Sequence, residues 1–119
     1  MDLGELVATS AYFFEVEPAE VGELEATVLD GYLAGLRDAG WSGDTRVVRL
    51  GYLLSATLWM GATLPGWAAV MLPDDAGINV QAMYGRSADA VLAGWVSLTE
   101  FLLSRADEAR QLMGKLDLA

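Results

Sequence analysis

The sequence predicts an all-α bundle of about four main helices arranged around a central buried helix. Three observations predict the helical class. Apolar residues recur every three or four positions along Leu3 to Phe14, Val21 to Leu36 and Val91 to Leu116, the spacing of a one-sided helix. A further 24 residues, Leu50 to Pro73, carry no charged side chain, so this stretch needs protein or lipid around it. Nothing reads as a strand, because the β-leaning runs Val47-Val48 and Val70-Met71-Leu72 are too short and too embedded to build a sheet. At 119 residues with 54% hydrophobic content, residues 1–119 form one helical domain with enough apolar surface for a core.

The first helix opens after Asp2 and carries Leu3, Leu6, Val7, Ala11 and Phe14 on one face. The turn Glu15-Val16-Glu17-Pro18 follows, and Pro18 suits a first helical position, where its missing N–H has no partner to lose. Glu20 and Glu23 then meet the positive end of the second helix, whose apolar stripe is Val21, Leu24, Val28, Tyr32 and Leu36 and whose end is Gly40. Gly31 and Gly35 on this helix are spaced to let another backbone approach.

Asp44 is a good N-cap for a third helix that begins at Thr45, places its charges at Arg46 and Arg49, and then runs apolar. Pro65-Gly66 is expected to break it, leaving Trp67 to Leu72 as a separate apolar piece. The full charge-free run is long enough to cross a membrane, but the proline together with Ser55, Thr57, Thr63 and the glycines favours a soluble core helix. Asn79 to Tyr84 adds a helical turn or two before Gly85. Ser87 caps the last helix, along which Val91, Trp95, Leu98, Leu102, Ala106, Ala109, Met113 and Leu116 form one stripe with Glu100, Arg105, Glu108 and Lys115 off it.

Composition closes several function classes. Seventeen acids against seven bases give a net charge of -10, which argues against binding nucleic acid phosphates. With no histidine and no cysteine, histidine general-base chemistry, Ser-His-Asp hydrolysis, thiolate nucleophiles and the common zinc sites are absent. No glycine-rich turn is followed by Lys-Ser or Lys-Thr, so ATP has no evident seat and no cofactor is expected in this chain. The start, MDLGELVATS, lacks the basic and apolar regions of a signal peptide, and a cytoplasmic location is expected. Up to Asp44 there are ten acids and one base, whereas from Thr45 onward seven acids face six bases, so the acidity belongs to the first third. That acidity is either a solvated face or a field that draws in a cationic ligand. Asp74-Asp75, Glu15/Glu17 and Glu23/Glu25 are paired carboxylates, read as surface in so acidic a chain. Tyr12, Trp41, Trp59, Trp67 and Trp95 are able to line a pocket, with Trp59 and Trp95 assigned to the core. Tyr12, Glu15 and Glu17 are the weak substrate-side candidates; no catalytic or metal-binding residue is assigned.

The run from Asp2 to Trp67, and more weakly the last helix, resembles the C-terminal helical part of aminoglycoside phosphotransferase-like proteins, small-molecule kinases with a protein kinase-like fold. The pieces that carry the likeness are Asp2-Leu3-Gly4, the block GYLAGLRDAGW from Gly31 to Trp41, Gly43-Asp44 and Leu64-Pro65-Gly66-Trp67. The resemblance implies ATP and magnesium held by a β-rich lobe and an HGD-type catalytic loop with a base Asp, an Asn and a second metal-binding Asp. This chain has none of these. It implies for Asp2 a buried carboxylate bracing that loop, and for these helices the wall of the acceptor site. Phosphoryl transfer rests on metal ions and a cationic clamp, so the chain alone is expected to be inert. The expected partners are a catalytic lobe or a second copy of the chain, with a small-molecule acceptor once the lobe is present; neither nucleic acid nor a membrane is expected. Two other readings stay open, a stand-alone helical interaction or oligomerisation module and a single-pass membrane protein.

Overall fold

The computed structural model describes residues 2–117, and among these there is no strand. Four long helices and one short one follow in order: α1 (Leu3–Tyr12), α2 (Val21–Asp38), α3 (Thr45–Met71), α4 (Val80–Tyr84) and α5 (Ala88–Lys115). Each start has a chemical reason. The carboxylates of Asp2 and Asp44 accept from the backbone N–H of Glu5 and Arg46, while Asn79 and Ser87 accept from Ala82 and Ala90. Pro18 begins a single 3₁₀ turn, Pro18–Glu20, that feeds α2. Gly85, at φ 70°, ends α4 in the left-handed region that a side chain would strain.

α3 is the helix on which α1 and α5 pack, and α2 lies against α1. Leu53, Ala56, Met60, Leu64 and Met71 are its inward residues. They meet Val7 of α1, Val21 of α2, and Val91, Trp95, Leu98 and Leu102 of α5 in one core. The upper end of this core is an aromatic knot. Tyr12 stacks on Trp95 with ring centroids 4.7 Å apart, and its hydroxyl shares a 2.8 Å hydrogen bond with that of Tyr84. The Trp95 indole N–H donates to the Tyr12 carbonyl, so α1, α4 and α5 are tied at one point with no buried donor left over.

The structure corrects four expectations. Pro65 does not break α3, which runs on to Met71. The helix widens into a π-helical segment, Ala56–Gly61, that ends four residues before Pro65, at the carbonyl which the missing proline N–H cannot serve. Thr57 and Thr63 donate their hydroxyls to the carbonyls of Leu53 and Trp59 in the same region.

The second correction is that α3, although central, is covered on one side only: a third of its most apolar 18-residue window is buried. By length and composition it also remains able to cross a membrane. Trp59 belongs to the uncovered side, at 59% exposure, whereas Trp95 is core at 1%.

Third, Gly31 and Gly35 are exposed with nothing within 4 Å of a built Cβ, because the far half of α2 stands away from the bundle. Fourth, Glu25 is not a surface acid. It is 3% exposed, bonded by groups that its neighbours in sequence do not reveal.

Candidate functional site

Close approach of α1 to α3 builds an open concavity at the start of the chain. A Cβ at Gly4 would stand 2.6 Å from the Ala56 nitrogen and 2.9 Å from the Tyr52 carbonyl oxygen, so only glycine lets α1 seat this deeply. The seat leaves an open cleft of about 440 Å³ between the start of α1, α2 and the first half of α3. Among the described residues Asp2 is the one charged side chain on its lining, with Tyr32, Tyr52 and Ser55 as the side chains bearing polar groups and Val47 and Val48 as apolar wall. A second open cleft of about 510 Å³ shares Asp2 and Ser55 and continues over Glu5, Leu54, Leu58 and Trp59.

The Ser55 hydroxyl, and then the Glu5 backbone N–H, hold the Asp2 carboxyl below its ordinary value. A carboxylate so held stays ionised and is a weak base. Asp2 is exposed here, at the rim where the two clefts meet, rather than buried as the resemblance implies. Among the described residues both clefts therefore offer acid and hydroxyl groups against apolar walls and no cationic side chain, an environment for a cationic or neutral polar group rather than for phosphate.

Beneath the first cleft lies an ion cluster that joins three helices. Tyr52 donates its hydroxyl to Glu25 at 2.7 Å, Arg105 donates to the same oxygen at 2.9 Å, and an Arg49 nitrogen stands 3.6 Å from the other oxygen. Arg49 also forms a two-pronged bond with Glu108. Burial, then the bond to Glu25, pushes the Tyr52 phenol far up, while Arg49 draws the Glu108 carboxyl down. Two arginines balance two glutamates, and each carboxylate is bonded, so the cluster is a staple between helices. The sequence hint for it was Arg49, a base one residue ahead of the charge-free run and three before Tyr52.

Of the sequence candidates, Tyr12 lies in the aromatic knot with its hydroxyl engaged by Tyr84. Glu17 is exposed and bonded to Arg86, whose guanidinium lies 4.3 Å over the Phe14 ring, and Glu15 is exposed on the same turn. None of the three borders either cleft at Asp2, and Asp2, Tyr32, Tyr52 and Ser55 are the residues that the structure brings together instead. Five of the seven bases, Arg46, Arg49, Arg86, Arg105 and Arg110, are held by carboxylates. Among the described residues no group of three or more acids stands close enough to hold a metal ion. No family model, curated protein or solved structure matches the chain.

Proposed function

We propose that this chain is the substrate-side helical subdomain of an aminoglycoside phosphotransferase-like small-molecule kinase, inert alone and active when joined to a catalytic lobe. The observation that supports it most is the seat of Asp2-Leu3-Gly4. The tripeptide that opens the resemblance is also where α1 is pulled against α3 and where two open clefts meet. In this reading the lobe brings the nucleotide, the metal ions and the catalytic base. The γ-phosphoryl group passes to an acceptor hydroxyl, releasing ADP and a proton. The helical chain contributes the acceptor wall, with the Asp2 carboxylate and the acid-rich first third attracting a cationic acceptor and Val47 and Val48 giving it an apolar floor.

The coding sequence that precedes Met1 tests this directly. An in-frame HGD, an Asn and a following Asp are expected, and the joined protein is expected to consume ATP in the presence of polyamine-bearing acceptors while the chain alone does not. A stop codon in frame, with no such segment encoded nearby, overturns the reading.

A further inference from the structure

The uncovered side of α3 has a distinct pattern. Leu58, Trp59, Trp67 and Val70 are 69%, 59%, 52% and 65% exposed, inside a run that carries no charge from Leu50 to Pro73. Between the bulky residues lie Ala62 and Gly66, both exposed, and a Cβ on Gly66 would meet nothing within 4 Å. Large side chains stand at both ends of the stripe and small ones at its middle.

The apolar surface continues onto α5. One shallow groove joins Pro65 and Ala68 to Leu92 and Val96, with the exposed Glu100 as the one charged residue on its lining, and another joins Thr57 and Gly61 to Leu103. The four α3 side chains alone leave on the order of 400–500 Å² of apolar surface in water, near the largest patch that a typical monomer shows. Adding Leu92, Val96 and Leu103 brings it to about 700 Å², close to the share that each partner gives to a standard protein interface.

We infer that this face is a homodimer interface, in which α3 of one chain packs on α3 of a second copy across a two-fold axis. An isologous contact requires a surface complementary to itself, and a stripe with bulk at its ends and glycine and alanine at its centre meets that requirement when paired antiparallel. Trp59 of one copy then lies beside Val70 and Trp67 of the other, and the backbones cross closely at Ala62 and Gly66. Charge selects the same face. A chain with a net charge of -10 repels its copy over most of its surface, and the charge-free run is where that repulsion is weakest.

A bilayer fits less well. Arg49 at the start of α3 is bonded to Glu108 and lies beside buried Glu25, so α3 cannot enter lipid alone without breaking the staple. The pairing runs along α3 from Leu58 to Val70, beyond the Tyr52 cleft; Leu58 and Trp59 also line the second cleft at Asp2, so a partner would border that cleft, and the pairing itself does not depend on a catalytic lobe.

Sedimentation equilibrium across the micromolar range tests the interface. The expected mass at high concentration is twice the 12.7 kDa of one chain, with Trp fluorescence shifting to the blue on association. The double variant W59E/V70E, altered only at exposed positions, is expected to keep its helicity by circular dichroism and to stay monomeric, while Met83→Glu on α4 stays dimeric. The chain has no cysteine, so Ala62→Cys gives a single thiol that is expected to cross-link efficiently to its copy under mild oxidation, and Asp38→Cys one that does not. This second readout holds even where the charged variant fails to fold. A wild-type chain that is monomeric throughout, a dimer unaffected by the paired glutamates, or partition into phosphatidylcholine vesicles in place of dimer formation overturns the inference.

Discussion

The Tyr52 hydroxyl donates to the buried Glu25 carboxylate at 2.7 Å, and through this bond the second helix is fastened to the third. Arg105 reaches the same oxygen from α5, so a single glutamate gathers three helices. Removing it takes away the one buried counter-charge of the cluster, strips Tyr52 and Arg105 of their bonded oxygen, and leaves Glu108 alone to balance Arg105 and Arg49. Glu25→Ala is therefore expected to cost about 3–5 kcal/mol in urea unfolding. Glu23→Ala, on the exposed face of the same helix, is expected to change stability by less than about 0.5 kcal/mol. Tyr52→Phe should fall between them at about 1–3 kcal/mol, since it removes one bond to a charged group and leaves the arginine in place. Equal effects at Glu25 and Glu23 would contradict the staple.

Periodicity carried most of the fold because capping and one-sided helix patterns are local. Asp44, Ser87 and Gly85 act where their chemistry directs, and the stripe from Val91 to Ala109 faces the core. What escaped depends on contacts between residues distant in sequence. Glu25 is separated from Arg105 by 80 positions, and nothing beside it marks it as different from Glu23. Pro65 reads as a helix breaker in isolation, yet a π turn one step earlier absorbs it. The cleft at Asp2 is likewise invisible to spacing, because it exists only where α1, α2 and α3 converge.

Gly4 and Gly31 offer opposite signs for one substitution. At Gly4 an added methyl would meet the backbone of α3 at 2.6 Å, and neither Ala56 nitrogen nor Tyr52 carbonyl is free to move aside. Gly4→Ala is expected to destabilise by about 1–3 kcal/mol and to loosen the Asp2 cleft. Gly31 sits in a helix interior with open space around it, so Gly31→Ala is expected to stabilise by about 0.5–1 kcal/mol through backbone entropy. Chemical denaturation of the two variants gives both signs, and a stabilised Gly4→Ala would mean that α1 is not seated as described.

The two tryptophans at opposite ends of the burial scale separate core from surface. Trp95 is fully enclosed, stacked on Tyr12 and bonded to its carbonyl, and Trp95→Ala is expected to cost about 3–5 kcal/mol. Trp59→Ala, measured at concentrations where the chain is monomeric, is expected to cost less than about 1 kcal/mol. Acrylamide quenching supplies an independent reading. Loss of Trp59 should remove a readily quenched component, and loss of Trp95 a protected one.

Acid sensitivity follows from Glu108. The Arg49 guanidinium, bonded to it from α3, and more weakly Arg105 and Lys115, hold its carboxyl below the ordinary 4.5, while partial burial works the other way. On acidification the unfolded chain takes up its proton first, near 4.5, and the folded chain only at lower pH. Through that window the unfolded state binds more protons, so the bond's contribution is fully present above the window and is lost as pH falls through it. In urea unfolding from neutral pH down through 4.5, the wild-type midpoint is expected to fall more steeply than that of Glu108→Gln, which lacks the titrating group. Parallel curves for the two proteins would show that Arg49 and Glu108 are not paired in solution.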